Sequence, residues 1–407
     1  MVVRRLFPLM VAGLTACTAL GPAGPTPRSE RVLLLGSTQG VVTVDPENDS
    51  VLFRGVGIPS SSDWSTLLTA TADGGRTFLE ARASTTGEVL SSLLVPGELG
   101  VRVASPDGSL VALMPPLLSG ASPWIPEPRS STTITVADPS GLEEPFRFHL
   151  DGNFEPEAFS ADRATLFLIS YVPPTAPTAY RVAALDLTDG SLSRVNTGVK
   201  GVAERMSGTR LEQTASADGS MLYTLYTTQP SDHVGEGTAS ANHVGFVHTL
   251  SLDEGWAHCV ALPEELWGGD PTDQAMAISA DGELLYVVDT ARRVVAVMDT
   301  DSLEMTGARG VELGSDQDGE TRAVIGPDGA LVVASGSHVV SLNAETLRPI
   351  DRWTFGAPVA ALGTGPQEIY VAVPGAVHSV SPGRDRADPV ARAPVLDDLS
   401  YVGMLEP

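Results

Sequence analysis

The chain alternates between short apolar runs and tight polar turns, and this pattern predicts a protein built from β-hairpins. Runs rich in Val, Leu and Tyr are separated by turns rich in Asp, Gly and Ser, and no segment shows sustained helical periodicity. The 41 glycines and 31 prolines among 407 residues agree with many turns. We therefore expect an all-β protein.

One unit recurs along the chain: a turn of the Ser-Ala-Asp-Gly kind, an apolar strand, and usually a further strand that ends in another Asp- or Gly-rich turn. Asp-Gly favours a tight hairpin because Asp bonds its own backbone and Gly adopts positive φ. Copies of the turn begin at Thr71, Ser105, Ser160, Ser216, Ser279 and Gly326, with a degenerate copy at Gly363.

The strands that follow these turns are nearly continuous apolar runs, which indicates that both faces of each strand are buried. Small antiparallel sheets buried on both faces are what a β-propeller requires, because its blades stack face to face around an axis. A single large β-sandwich is the alternative, but most of its strands would have a solvated face and it would not repeat. We therefore predict a single β-propeller of seven or eight mostly four-stranded blades.

The clearest copy, LLYVVDTARRVVAVMDTDSLEM, resembles the YVTN-type β-propeller repeat of bacterial surface and secreted proteins. Val288, Asp289 and Thr290 stand where that repeat has its Thr-Asn pair. The resemblance covers most of residues 31–405 but is close only from Met276 to Leu313. It implies the propeller fold and specifies no function.

The two ends of the repeat region predict how the ring closes. The first strands, RVLLLG, GVVTVD and VLFRG, lack a preceding innermost strand, and the last segment, Leu396 to Leu405, has the pattern of an innermost strand without a blade. Pairing the two would remove two exposed sheet edges. This count gives eight blades, whereas the repeat family usually has seven, so both numbers stay open.

The N-terminal segment carries the features of an export signal. Arg4 and Arg5 precede a short apolar run that ends in Leu14 to Cys17, a sequence that resembles the lipobox of bacterial lipoproteins. The resemblance implies cleavage before Cys17 and a lipid on its thiol. An ordinary signal peptide with a chance cysteine is the alternative.

These features divide the chain into a lipoprotein signal peptide (1–17), a flexible Gly/Pro-rich tether (18–30) and the propeller (31–407). We expect an extracytoplasmic location, with Cys17 anchored in the cell membrane. Cys259 would then be the one cysteine of the mature domain, so no disulfide can form within it. The apolar sequence around Cys259 predicts an inert core thiol.

The charge balance excludes one class of partner. The chain has 25 Lys and Arg against 50 Asp and Glu, a net charge of −25 at pH 7. A nucleic acid would be repelled, whereas cationic ligands and basic partner surfaces are mildly favoured.

Three long insertions indicate where a ligand would bind. They fall between the second and third strands of three consecutive units, so they should stand side by side on one face of the disc. Acidic connectors between units reach the same face, and two tryptophans could serve as amphipathic anchors. Tolerated surface loops with ordinary solvated charge are the alternative. The candidate residues of this face are Trp124, Glu264, Glu265, Trp267, Asp270, Asp316, Asp318 and Asp397.

Motifs of catalysis and metal binding are not found in the sequence. There is no Gly-x-Ser-x-Gly elbow, haem-attachment motif or phosphate-binding loop. The spacing of His233 and His243 matches no known metal site, and the acidic alternation from Asp316 to Glu320 is too short for a calcium loop. We therefore assign no catalytic residue, metal ligand or cofactor.

Two functional hypotheses remain. The first is a lipid-anchored, monomeric propeller that acts as a binding or scaffold module for an envelope protein, peptide or glycan. The alternative is a lactonase-like, metal-dependent hydrolase, because sugar lactonases use a similar propeller. It would need carboxylates gathered at the central channel. A quinone-dependent dehydrogenase is disfavoured, because the tryptophan-containing blade motif of that class is missing.

Overall fold

The protein is an eight-bladed β-propeller, which confirms the predicted fold class and decides between seven and eight blades. Besides strands, the described residues contain two short 3-10 helices, Glu264–Leu266 and Pro271–Asp273. None of the helices described here has the length and apolar character needed to cross a membrane. The computed structural model describes residues 31–37, 40–59, 64–116, 127–195, 206–230, 243–313, 319–384, 386–392 and 399–405.

Each blade is an antiparallel sheet whose strands run in order from the inner to the outer edge. Blade 1 contains β33 (Leu399–Leu405), β1 (Val32–Ser37), β2 (Gly40–Asp45) and β3 (Ser50–Gly55). Blade 2 contains β4 (Gly57–Pro59), β5 (Thr66–Asp73), β6 (Arg76–Ala83) and β7 (Val89–Pro96). Blade 3 contains β8 (Gly100–Ala104), β9 (Val111–Met114), β10 (Ser131–Ala137) and β11 (Phe146–Asp151). Blade 4 contains β12 (Asn153–Phe159), β13 (Thr165–Val172), β14 (Ala179–Asp186) and β15 (Leu192–Arg194).

The second half of the ring follows the same plan. Blade 5 contains β16 (Thr209–Ala215), β17 (Met221–Pro230), β18 (His243–Ser251) and β19 (Ala257–Ala261). Blade 6 contains β20 (Gln274–Ile278), β21 (Leu284–Asp289), β22 (Val294–Asp299), β23 (Glu304–Met305) and β24 (Arg309–Gly310), the last of which also pairs with β22. Blade 7 contains β25 (Arg322–Ile325), β26 (Leu331–Ser335), β27 (His338–Leu342) and β28 (Pro349–Thr354). Blade 8 contains β29 (Ala361–Thr364), β30 (Ile369–Val373), β31 (Ala376–Val380) and β32 (Asp388–Ala391).

The ring closes through the two ends of the chain, as the sequence predicts. The C-terminal strand β33 pairs with β1 in a register that runs from Val32 opposite Leu405 to Ser37 opposite Leu399. The inner strand β29 of blade 8 approaches β33 so closely that a Cβ at Gly363 would lie 1.6 Å from the carbonyl oxygen of Val402. Only glycine fits at this closing contact.

The hydrophobic core lies between the blades. The buried apolar side chains fall into eight clusters, and each cluster joins one pair of neighbouring blades around the ring. Between blades 4 and 5 the rings of Tyr180, Tyr226 and Phe246 stack, with centroids 5.4 Å and 5.0 Å apart. Burial of both strand faces explains why the strands are continuous apolar runs.

Four of the Ser-x-Asp turns share one hydrogen-bond pattern, seen clearly at Ser279. Its hydroxyl donates to Asp281 Oδ1 at 2.5 Å and accepts the backbone N–H of Leu284 at 2.9 Å, while Gly282 takes a φ of +78°. The hydrogen bond from the Ser279 hydroxyl, followed by that from the backbone N–H of Glu283, lowers the pKa of Asp281. The turns at Ser105, Ser160 and Ser216 repeat the arrangement. They join the first and second strands of their blades, and their role is structural.

The turn at Thr71 does not join the first and second strands of its blade, so the prediction that grouped it with the others was wrong. It joins β5 to β6, the second and third strands of blade 2. The first strand of that blade is β4, three residues long and ending in Pro59. A strand this short has no apolar run, so the sequence pattern did not reveal it.

Candidate functional site

The loop face is the end of the disc formed by the connections between second and third strands and by the connectors between blades. The opposite end, which carries the Ser-x-Asp turns, is the turn face. The three long connections predicted from the sequence join β9 to β10, β13 to β14 and β17 to β18. They belong to blades 3, 4 and 5, and the described strand ends that they join all lie at the loop face.

Two of these connections are in direct contact. The backbone N–H of Arg129, at the end of the blade 3 insertion, donates to the carbonyl oxygen of Pro174 in blade 4 at 3.1 Å. The side-chain amide of Asn153, the first residue of β12, donates to the carbonyls of Pro174 at 3.1 Å and Glu127 at 2.8 Å. The loop face therefore has a hydrogen-bonded surface between blades 3 and 4.

The connector from blade 5 to blade 6 presents three of the predicted acidic residues. Glu264 and Glu265 are exposed on the first 3-10 helix. Asp270 is exposed and caps the second 3-10 helix by accepting the backbone N–H of Thr272 at 2.9 Å. The backbone and hydroxyl hydrogen bonds from Thr272 lower the pKa of Asp270. These three carboxylates give this part of the loop face a negative charge.

The indole ring of Trp267 is held in place within the same connector. Its indole N–H donates to the carbonyl of Leu262 at 2.6 Å, and its half-buried ring packs against the core between blades 5 and 6. The hydrogen bond holds the connector in shape and leaves part of the ring accessible. The remaining predicted residues, Cys17, Trp124, Asp316, Asp318 and Asp397, lie outside the described residues.

The inner strands carry charged side chains that the sequence analysis did not select. Arg102 lies on β8, Glu155 and Glu157 on β12, and Arg210 and Glu212 on β16. The sequence contains a feature that could have identified them, because charged residues interrupt the inner-strand segments NFEPEAF and TRLEQTA.

Glu155 binds two arginines of the preceding blade. Its carboxylate lies 3.5 Å from Nε of Arg102 and also pairs with Nη2 of Arg129. The Glu155 side chain is buried. Burial lowers the pKa of Arg102, and neighbouring Arg129 lowers it further, against the opposing effect of Glu155. This cluster joins blades 3 and 4.

Glu157 forms a buried ion pair with the following blade. Nη1 of Arg210 lies 2.6 Å from its carboxylate, and the two side chains are only 5% and 2% exposed. The Gln213 amide donates to the other carboxylate oxygen at 2.9 Å. Removing one partner of such a pair lowers the stability of the protein, because it leaves the other charge buried and uncompensated.

Glu212 has a different environment from the other two inner carboxylates. It accepts the backbone N–H of Met276 in blade 6 at 2.6 Å. Burial raises the pKa of Glu212 to about 7, although the Met276 N–H and the Arg322 guanidinium both act to lower it. Glu212 can therefore exchange a proton near neutral pH.

Each of the three inner carboxylates has a partner in a neighbouring blade. Glu155 and Glu157 are neutralised by arginines, and Glu212 is bound to a backbone N–H. Within the described ranges, no group of three or more His, Cys, Asp and Glu side chains is placed to hold a metal ion. The described inner carboxylates link neighbouring blades instead.

Two further titratable groups lie on the outer strands of blade 5, where the buried His248 and the half-buried Cys259 stand opposite each other. Burial, with smaller effects of Arg210 and His258, lowers the pKa of His248 to about 3. Burial raises the pKa of Cys259 to about 12. Cys259 is therefore protonated at neutral pH, in agreement with an inert thiol.

Comparisons with known proteins find similarity in structure and none in sequence family. No family model and no curated protein matches the sequence. Apo AztD from Citrobacter koseri has a TM-score of 0.55 at 10% identity, over 92% of this chain and 98% of that one. The dihydro-heme d1 dehydrogenase NirN, in complex with DHE, has a TM-score of 0.53 at 13% identity, over 95% and 78%. The periplasmic gluconolactonase PpgL of Pseudomonas aeruginosa has a TM-score of 0.46 at 15% identity, over 93% and 99%.

At these identities the likeness to AztD and NirN shows the fold alone. The chain is a β-propeller protein, and bacterial propellers are among its structural neighbours. The YVTN-type repeat and the lipoprotein signal stay predictions from the sequence.

Proposed function

We propose that this protein is a lipid-anchored, extracytoplasmic β-propeller that binds a protein, peptide or glycan of the cell envelope on its loop face. The observation that carries the proposal is the placement of long connections from three consecutive blades on one face. Binding residues are commonly found on such loops, which a rigid scaffold positions. The lipobox-like sequence that ends at Cys17 supports the anchor.

The chemistry of the loop face favours a partner with basic groups. Glu264, Glu265 and Asp270 are exposed on one connector. Exposed charges of one sign steer an oppositely charged partner, and salt screens their effect over about 8 Å at physiological ionic strength. Binding should therefore weaken as salt is raised.

The anchor is tested by the variant Cys17→Ala in the producing cells. The wild type should fractionate with membranes and incorporate labelled fatty acid, while the variant should do neither. Fatty-acid incorporation that persists in the variant would contradict lipidation at Cys17.

Binding is tested separately by a photo-crosslinking amino acid placed at one of two exposed positions. Thr175 lies in the blade 4 connection on the loop face, and Glu283 lies in a turn on the opposite face. We expect a covalent adduct of discrete mass from Thr175 and none from Glu283. Adducts of equal yield from both positions, or none from Thr175, would contradict the proposal.

A lactonase-like hydrolase is the second candidate, and Glu212 is the observation that favours it. A carboxyl with a pKa of about 7 on an inner strand is suited to general acid–base chemistry at neutral pH. The test is hydrolysis of a panel of sugar lactones by the wild type and by Glu212→Gln, with and without EDTA. Turnover that Glu212→Gln abolishes would favour the hydrolase, and equal background rates would favour the binding module.

A further inference from the structure

The inner strands of blades 3, 4 and 5, the blades that carry the long connections, each contain one extra residue. The register of β8 against β9 skips Arg102, as in a β-bulge. The registers of β12 and β16 skip Glu157 and Leu211 in the same way. Among the other blades, the described inner-strand registers shift only in blade 1, at Ser37. Bulges change the direction of a side chain and are common beside functional sites.

Two guanidinium groups and one carboxylate meet at the loop-face end of blades 3 and 4. Arg102 and Glu155 are each the third residue of an inner strand, and the inner strands begin at the loop face. Nε of Arg102 lies 3.5 Å from one oxygen of the Glu155 carboxylate, and Nη2 of Arg129 pairs with the other oxygen. The side chains of Arg102 and Glu155 are only 9% and 5% exposed, and that of Arg129 is 27% exposed. The cluster is therefore largely withdrawn from water.

The charges of this cluster do not balance. Among the described residues, the charged groups that act on Arg102 are Glu155 and Arg129, and one carboxylate neutralises only one guanidinium. The neighbouring pair of Glu157 and Arg210 is balanced within itself. One positive charge is therefore left over, although the chain as a whole has a net charge of −25. A largely buried charge without a counter-charge is unfavourable, so this position favours an anion.

Each of the two guanidinium groups is held through two of its nitrogens and keeps the third. Nη2 of Arg102 donates to the carbonyl of Pro115 in the blade 3 connection. Nε of Arg129 donates to the side-chain oxygen of Asn153 at 2.7 Å. Within the part of the chain that the structure describes, Nη1 of neither arginine donates a hydrogen bond. A Cβ at Gly100 would lie 3.5 Å from Nη1 of Arg102, so this nitrogen lies beside the first residue of β8.

A carboxylate is the anion that matches this arrangement. Its two oxygens lie in one plane and accept the N–H groups of guanidinium in charge-assisted hydrogen bonds. Its single negative charge equals the excess positive charge of the cluster. A phosphate ester carries close to two negative charges, so it would exceed the excess beside Glu155 and in an acidic protein.

We propose that Arg102 and Arg129 bind a carboxylate group of the loop-face partner at the loop-face end of blades 3 and 4. The inference rests on the proposed function, because it names a group that the partner presents. The partner would combine this carboxylate with the basic groups that suit the acidic connector between blades 5 and 6. The carboxylate belongs either to the C-terminus of a peptide or to an acidic sugar, and the test distinguishes these sources.

Thermal unfolding of the full chain, carrying Cys17→Ser to remove the predicted lipid, tests the site with small probes. N-acetylalanine represents a peptide C-terminus and glucuronate an acidic sugar, while N-acetylalaninamide and glucose are their neutral counterparts. At about 100 mM, one or both carboxylates should raise the unfolding temperature by about 1 to 2 °C more than sodium chloride at equal ionic strength. The neutral counterparts should not, and the carboxylate with the larger effect identifies the source. No such rise with either carboxylate would overturn the proposal.

Three arginine variants separate a ligand-binding role from a structural one. Arg102→Met leaves Glu155 paired with Arg129, so without a probe it should unfold close to the wild-type temperature, and it should lose the rise with carboxylates. Arg210→Met should unfold at a clearly lower temperature, because it leaves Glu157 buried without its cation. Arg147→Met, at an exposed position on β11 of blade 3, is the matched control and should keep the rise.

Two results with these variants would overturn the proposal. The first is a rise of equal size in Arg102→Met and the wild type, because the carboxylate would then act elsewhere. The second is an Arg102→Met variant that unfolds as early as Arg210→Met, because Arg102 would then be required for the fold.

The crosslinking experiment at Thr175 separates this inference from the proposed function. An adduct at Thr175 without any effect of the carboxylates would overturn the carboxylate site and leave the loop face as the binding surface. A rise that depends on Arg102, without an adduct at Thr175, would support the site and contradict the binding of a larger partner.

Discussion

The replacement Glu212→Gln should make the protein more stable above neutral pH. In the folded state this carboxyl accepts the backbone N–H of Met276 in blade 6. Burial raises its pKa from an ordinary value of 4.5 to about 7. The ionised form is therefore disfavoured in the folded protein, and glutamine removes the charge while keeping an oxygen that can accept the same N–H.

The size and sign of the effect follow from the two pKa values. The folded state holds its proton between pH 4.5 and about 7, whereas the unfolded chain has released it, so rising pH lowers stability across this window. A pKa difference of about 2.5 corresponds to about 3 kcal/mol, since each tenfold change in the ionisation equilibrium is about 1.4 kcal/mol. The penalty is full above pH 7 and absent below pH 4.5.

Thermal unfolding of the wild type and Glu212→Gln across this pH range is the assay. The variant should melt a few degrees above the wild type at pH 8.5, and the two curves should converge near pH 4.5. Comparison with the wild type at each pH removes the contribution of other groups, including His248. Glu265→Gln, an exposed position on the 3-10 helix, is the control and should follow the wild type.

Parallel pH profiles for the wild type and Glu212→Gln would refute this reasoning. They would mean that Glu212 is solvated in the folded state, and the observation in favour of acid–base chemistry at this residue would be lost with it. A variant less stable than the wild type at pH 8.5 would also refute it, because it would show that the charge is stabilising there.

Three further predictions concern ring closure, the repeated turn and the cysteine. Gly363→Ala should destabilise the protein strongly, by several kcal/mol, because its Cβ would meet the carbonyl of Val402; unfolding at the wild-type temperature would contradict this contact. Ser279→Ala should cost about 1 to 2 kcal/mol, because it leaves the N–H of Leu284 without its acceptor; an unchanged denaturation midpoint would show that the hydroxyl is dispensable. Cys259 should react with a thiol reagent at neutral pH only after unfolding, since burial raises its pKa to about 12; rapid labelling of the native protein would show that it is accessible.

The sequence predicted the repeated hairpins, the propeller and the strand that closes the ring, because these depend on apolar runs and Asp-Gly turns. It grouped the turn at Thr71 with the turns that join first and second strands, because the inner strand Gly57–Pro59 is too short to form a pattern. The inner charges were missed for a different reason. Glu157 and Arg210 are 53 residues apart in sequence, and their pairing appears only when blades 4 and 5 are packed together.

The features of the loop face could also be predicted only in part from the sequence. The positions of Glu264, Glu265 and Asp270 on one connector could be predicted, because connectors between blades always reach that face. The hydrogen bond between the Trp267 indole and Leu262 could not be, because it depends on the local path of the 3-10 helix. Nothing in the pattern of apolar and polar residues specifies which side chain of a connector is directed back to its own backbone.

The central claim is that the loop face binds a partner while the inner carboxylates hold the blades together. Thermal unfolding of the full chain after EDTA treatment, and again with calcium, magnesium, manganese or zinc, tests it most directly. Because the Glu155 and Glu157 carboxylates are paired with arginines, we predict one unfolding temperature under all conditions. A cation at about a hundred times its dissociation constant would add about 3 kcal/mol. A rise of a few degrees with one ion, lost in a Glu212→Gln variant, would contradict the claim and support a metal-dependent hydrolase.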